Sequence, residues 1–163
     1  MEKDRLLFCI GRFDHYYESV NNKGNVILAL STFLVGGEIT AYPFFVDNIN
    51  FSIIIMILYV MTITVGLLSI IMILFATIPY MNCSRKASLL FFSDIAKISG
   101  PAFNERSKSL TNADELVDLR SQTHDLAKGL RNKFIKLRIA GSLLILQLAL
   151  LIPFIILTFR NLN

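Results

Sequence analysis

Residues Phe51–Ile78 read FSIIIMILYVMTITVGLLSIIMILFATI, 28 consecutive positions without a charged side chain. As a helix this run is about 42 Å long, more than the roughly 30 Å of a bilayer's hydrocarbon core. Two further runs flank it. Val26–Val46 contains one acid, Glu38, and Ile139–Phe159 is uncharged across 21 positions. Each is long enough to span, and a soluble domain of 163 residues has no interior large enough to hide all three. The fold class expected is an all-α membrane protein: three transmembrane helices whose helical extensions form a small cytoplasmic bundle. The composition agrees, with 54% hydrophobic residues and a mean hydropathy of +0.59.

The distribution of Lys and Arg sets the expected orientation. The link Asp47–Asn50 has neither, and the tail after the third run has only Arg160. Between Pro79 and Arg138 there are eleven: Arg85, Lys86, Lys97, Arg106, Lys108, Arg120, Lys128, Arg131, Lys133, Lys136 and Arg138. The N-terminus and this segment are expected in the cytoplasm, and the C-terminus outside. The first 23 residues balance four basic against four acidic side chains, unlike a cleaved signal. The expected organisation is a cytoplasmic amphipathic helix over residues 1–25, spans over 26–46, 51–78 and 139–159, and a cytoplasmic helical sensor region over 79–138. Cys9 and Cys83 fall on the reducing side and lack metal-ligand spacing. The net charge of +4 follows from the loop bias and does not call for a nucleic-acid polymer as partner.

The apolar stripe Leu6, Ile10, Phe13, Tyr17, Val20, Gly24 has spacings of 4, 3, 4, 3, 4, a heptad seam. It predicts one helix from about residue 4 to 46, with Asn21–Asn25 at the water–lipid boundary and Pro43 able to kink the outer end. Pro79 is expected to end or kink the second run. Ala87–Ser99 reads as a short amphipathic helix stopped by Gly100-Pro101, with 102–110 as a loop. Thr111 and Asp114 form a capping-box start. The stripe that follows is Leu116, Leu119, Thr123, Leu126, Leu130, Phe134, Leu137. It predicts one helix from 112 to 159, about 72 Å long.

No glycine-rich phosphate loop, HExxH or GxSxG is present, and neither His15 nor His124 has a His or Cys at i+3 or i+4. No catalytic residue, metal or cofactor is expected. The seam flanks carry another chemistry. Arg12, Tyr16 and Lys23 line one edge of the first helix, and Arg120, His124, Arg131 and Arg138 one edge of the last, with Gln122 and Lys133 opposite. Cations, a ring and an amide in a helix groove suit a phosphate and a stacked base. Solvated charges, interhelical pairs and headgroup anchors account for the same pattern. Glu38, the only acid inside a span, is a functional candidate; snorkelling to the outer surface is the alternative. Gly36-Gly37 beside it permits close helix approach.

Asn22-Lys23-Gly24-Asn25 leading into Val26-Ile27-Leu28-Ala29-Leu30 resembles the Asp-x-Lys-Ala-Ser and apolar-run start of the transmembrane effector family of Pycsar (pyrimidine cyclase system for antiphage resistance). Leu90–Ala96, the acidic helix start at Thr111–Leu119, Gln122, and Lys133-Phe134 with Arg138 and Ala140 extend the resemblance over most of the chain. Lys23, Lys133 and Arg138 match family positions; Asn22 and Gly24 depart from the usual neighbours of the first lysine. The resemblance implies a bacterial inner-membrane effector that answers cyclic CMP or cyclic UMP by impairing the membrane, ending infection by abortive arrest. It implies a cyclic pyrimidine mononucleotide as ligand, membrane lipids as surroundings and a homo-oligomer. The alternative is a non-enzymatic accessory subunit whose cytoplasmic bundle docks a protein partner.

Overall fold

The computed structural model describes residues 1–48, 52–78 and 88–161. Pro79 as the end of the second run, the link through Ile49 and Asn50, Cys83, Arg85, Lys86 and the Ala87 helix start lie outside the described residues. Those described form five helices and no strand: α1 (Glu2–Asn48), α2 (Ile53–Thr77), α3 (Phe92–Ile95), α4 (Gly100–Ser109) and α5 (Asn112–Arg160). Three of them, α1, α2 and α5, are long and apolar enough to cross a membrane. The chain divides into two compact units. The first takes Met1–Ser19 and Pro79–Asn132, the second Val20–Ile78 and Lys133–Asn163. The helices α1 and α5 each contribute residues to both.

In the second unit α2 runs antiparallel to two parallel neighbours. Ser31 meets Ser69 and Tyr59 meets the Glu38 carbonyl, so residue numbers fall along α2 as they rise along α1. Ser69 reaches the Ala140 carbonyl and Lys136 the Phe75 carbonyl, so α5 also opposes α2. Three spans that alternate in direction require this arrangement. The buried face of α2 is Ile55, Tyr59, Thr62, Gly66, Ser69, Ile73 and Ala76, a strict alternation of four and three. Its outward face is Ile, Leu, Met and Val: Ile53, Met56, Val60 and Leu67 are all exposed. The polarity is inverted relative to a soluble helix. Lipid supplies no hydrophobic drive between helices, so small and hydrogen-bonding residues occupy the seam. Gly66 shows how close the approach is. A Cβ there would lie 2.4 Å from Val35 Cγ2 and 2.5 Å from Gln147 Nε2. At one end of the unit, Phe45, Tyr59 and Phe154 pack as an aromatic cluster with Ile55.

Both ends of α2 are capped. Ile55 N–H reaches the Ser52 hydroxyl at 3.5 Å, and Lys136 Nζ donates to the Phe75 carbonyl at 2.9 Å in the last turn. That cation satisfies an orphan carbonyl and opposes the negative end of the helix dipole.

In the first unit, α1 and α5 run parallel. Lys3 pairs with Glu115 at 2.7 Å, Glu2 with Arg120, and the Tyr17 hydroxyl donates to the Leu126 carbonyl. Between these polar ties lie Leu6 and Leu119, both buried. The Thr111 cap forms as expected: Asp114 N–H donates to Thr111 Oγ1, and the Thr111 hydroxyl donates to the Asp114 carboxylate.

The segment between the long helices departs from expectation. The amphipathic helix foreseen over Ala87–Ser99 is only the single turn α3, and Gly100-Pro101 opens a helix instead of stopping one. Local side-chain bonds explain the first change. Ser88 Oγ accepts from the N–H groups of Leu90 and Phe91, and Leu89 N–H donates to Asp118. These bonds take the donors a helix needs. The second change follows from proline's tolerance in a first turn, where its missing N–H is an orphan in any case. The expected loop 102–110 is therefore mostly α4, none of whose residues is buried. Gly36-Gly37 does not provide the close approach foreseen; a Cβ at either position meets nothing within 4 Å. Phe134, expected in the seam, is exposed. Pro43 lies inside α1, which continues through it to Asn48.

Two outcomes follow. Gly66→Leu is expected to overpack the seam against Val35 and Gln147, destabilising by about 1–3 kcal/mol, and Thr111→Ala by about 1 kcal/mol; thermal unfolding in lipid nanodiscs, followed by circular dichroism, measures both. The Asp94 carboxyl is held below the usual carboxylate range, first by the Ser88 N–H and then by Lys97, against the opposing effect of burial. A lowered folded value means that its stabilisation is full above about pH 4 and is lost as pH falls through that lower value. Protection of the Ser88 amide from hydrogen exchange is expected to hold from pH 7 to 5, to fall on further acidification, and to be absent at every pH in Asp94→Ala.

Candidate functional site

The basic and aromatic residues on the seam flanks fall into two groups. In the first unit, Arg12 and Tyr16 lie one turn apart on α1. The guanidinium donates to the Tyr16 hydroxyl at 2.6 Å and lies over the rings of Phe8 and Tyr16, 5.9 and 5.6 Å from their centroids. This is an exposed, planar cation held by aromatic faces. Arg120 is engaged otherwise. Its Nε and terminal nitrogen hold the two Glu2 carboxylate oxygens at 2.9 and 2.8 Å, a bidentate interhelical pair. That pair keeps the Glu2 carboxyl below its usual range. His124 and Arg131 are exposed on α5. Gln122, on the opposite edge, is buried.

In the second unit, Lys133 is half-buried and donates to Asn21 Oδ1 at 3.2 Å. Asn21 precedes Lys23 in the boundary stretch, so the amide there anchors the α5 lysine. Lys23 and Arg138 are exposed on α1 and α5. Gly24 packs near Leu137, and Gly141 near Ile27, so small residues bring the two helices together beside these cations.

Deeper in this unit two polar layers cross the seam. In one, Ser69 Oγ donates to the Ala140 carbonyl at 3.0 Å and lies 3.2 Å from Ser31 Oγ. A hydroxyl has one proton, so Ser31 is the donor in the pair. The other layer holds Glu38, turned inward and only 7% exposed, not snorkelling outward. Thr62 and Gln147, both fully buried, present their polar ends to its carboxyl. Thr62 Oγ1 donates to the Tyr59 carbonyl at 2.9 Å, and the Tyr59 hydroxyl donates to the Glu38 carbonyl at 3.2 Å. Neither Glu38 carboxyl oxygen and neither polar atom of Gln147 completes a hydrogen bond among the described residues.

Several functional positions are absent from the sequence reading. Gln147 is the only amide in the run Ile139–Phe159, a signal present in the sequence. Thr62, Gly66 and Ser69 recur at heptad spacing inside Phe51–Ile78, but a hydropathy average hides them. The capping role of Lys136 had no sequence signal, because its acceptor lies 61 residues away.

No curated protein matches the chain, and no solved structure does. A family model described as the Pycsar effector protein domain, PycTM, matches residues 5–160. That match takes in nearly all of α1 and the whole of α2 and α5, so the chain belongs to the Pycsar effector family, the cyclic-nucleotide-responsive antiphage effectors.

Proposed function

We propose that the protein is a ligand-gated effector of the bacterial inner membrane, with its N-terminus in the cytoplasm and its C-terminus outside. A cyclic pyrimidine mononucleotide, cyclic CMP or cyclic UMP, binds the cytoplasmic helices, and the spans over 26–46, 51–78 and 139–159 respond by impairing the membrane without catalysis. Family membership supports the nucleotide class and the antiphage role. The single observation that carries the mechanism is that α1 and α5 are each one unbroken helix with residues in both compact units. A change of packing along the first part of such a helix has a covalent, hydrogen-bonded route to the second part.

The ligand's anionic phosphate calls for cations and its base for a flat partner. Arg12, with Tyr16 and Phe8, offers a ring-backed guanidinium, and His124 and Arg131 offer exposed donors on α5. Arg120 contributes only if its Glu2 pair opens. Lys23, Lys133 and Arg138 form the second cationic group, at the foot of the spans. Gating requires that the nucleotide bind one packing more tightly than another; a factor of about 10⁴ would carry a two-state bundle from 1:99 to 99:1. A homo-oligomer supplies such a pair of packings through the heptad seams of its helices.

Calorimetry on the purified protein in lipid nanodiscs tests the reading. Heat is expected with cyclic CMP or cyclic UMP, with affinity at least tenfold weaker in Arg12→Ala and Arg131→Ala. A membrane-potential dye is expected to report depolarisation in cells that co-express a pyrimidine cyclase. Absence of heat with both nucleotides would sink the proposal and favour the accessory-subunit reading.

A further inference from the structure

Glu38 is a carboxyl between three helices of a membrane protein, with its oxygens shut off from the surface and without a hydrogen bond among the described residues. An unpaired carboxylate in hydrocarbon is among the costliest groups a protein can bury. The described side chains grouped with it are neutral. From α2 come Thr62 and Tyr59, from α5 Gln147, and from α1 itself Tyr42, whose ring stacks on Tyr59 with centroids 5.6 Å apart. No Lys, Arg or His on these elements is paired with it among the described residues, so no positive side chain there neutralises a carboxylate.

The unpartnered oxygens beside Glu38 suit a cation. Glu38 offers two carboxyl oxygens and Gln147 an amide oxygen. Thr62 Oγ1 gives its proton to the Tyr59 carbonyl, which leaves its lone pairs free to face the carboxyl. Oxygen donors of this kind suit hard cations. The charge count selects among them. With one carboxylate, a divalent ion would leave a net positive charge in the same low-dielectric layer, whereas a single positive charge brings the layer to neutrality. Gly66 keeps the site formed: its missing Cβ is the space into which the Gln147 amide fits.

We propose that Glu38, Thr62 and Gln147 form an intramembrane site for one monovalent cation, a proton or an alkali ion. Bound, the cation cancels the carboxylate charge and ties α1, α2 and α5 through a shared ligand. Released, it leaves an ionised carboxylate that the layer stabilises only by admitting water, which loosens the packing of the three helices. The membrane unit is thereby sensitive to cation concentration. The site needs no nucleotide, so its failure and that of the gating proposal are separable.

Infrared titration of the full chain in lipid nanodiscs, with no nucleotide added, tests it. The Glu38 carboxyl signal is defined as the difference between the wild type and the isosteric Glu38→Gln, which keeps the layer neutral and the fold intact. A protonated-acid band at neutral pH that converts to carboxylate as pH rises, independent of Na⁺ and K⁺, assigns the proton. A carboxylate band that shifts on adding Na⁺ or K⁺ in place of a large organic cation assigns the alkali ion. In either case Gln147→Leu and Thr62→Val are expected to move the midpoint at least tenfold in ion concentration. A signal insensitive to both pH and salt, or a midpoint that neither variant moves, overturns the proposal.

Discussion

The contact of Gln147 with Gly66 sets the distance at which the three membrane helices meet. Because a Cβ at Gly66 would collide with Val35 and with the Gln147 amide, only glycine lets α1 and α5 close on α2 there. Everything else in that layer follows from the closeness. Thr62 lies one turn from Gly66 and bonds within its own helix, while Ser69, nearly one turn on the other side, reaches a partner only because the backbones are near. A hydroxyl bond to a facing backbone carbonyl, such as that of Ser69 to Ala140, is possible only across a seam of small side chains.

The same spacing governs the first unit with a different chemistry. Along α1 the seam begins Leu6, Ile10, Phe13, Tyr17, Val20, and continues Gly24, Ile27, Ser31, Val35 and Glu38, all buried or half-buried. Its period barely changes, while its residues pass from large and apolar to small and polar. The solvent explains the switch. In the first unit, buried leucines line the seam and the flanking Lys3–Glu115 and Glu2–Arg120 pairs fix the register, the pattern of helices that pair in water. In lipid, leucine gains little by leaving the acyl chains, so close backbones and hydrogen bonds hold the helices.

Periodicity was therefore the legible part. The seams of α1 and, apart from Phe134, of α5, the Thr111 cap and the three long apolar helices were readable from spacing. The interior of the membrane unit was much less so, because the run Phe51–Ile78 looks uniform to any average, and only the facing helices reveal which of its polar residues matter. Glu38 announced itself as an acid among apolar neighbours, yet its inward turn depended on falling seven residues after Ser31 in the seam. The segment after Ser88 misled because its apolar cluster suggested a helix, while Ser88, Asp94 and Asp118 captured the backbone donors. At Gly100-Pro101 the same two residues fit a stop and a start, and the first turn of α4 uses them as a start.

Among the flank residues, sequence position alone did not separate ligand from strut. Arg120 and Arg131 lie on the same edge of α5, eleven residues apart, with the same charge and reach. Glu2 happens to lie beside one of them, so the first is a bidentate tie between helices and the second an exposed donor. A nucleotide phosphate competing for Arg120 must displace a carboxylate already held in good geometry, and gains only the difference between the two anions. One meeting Arg131 or Arg12 has no such carboxylate to displace among the described residues. The cations open to an anion at least cost are thus those the helix pairing leaves outside its own ion pairs, and on α1 the ring of Tyr16 orients one of them in advance.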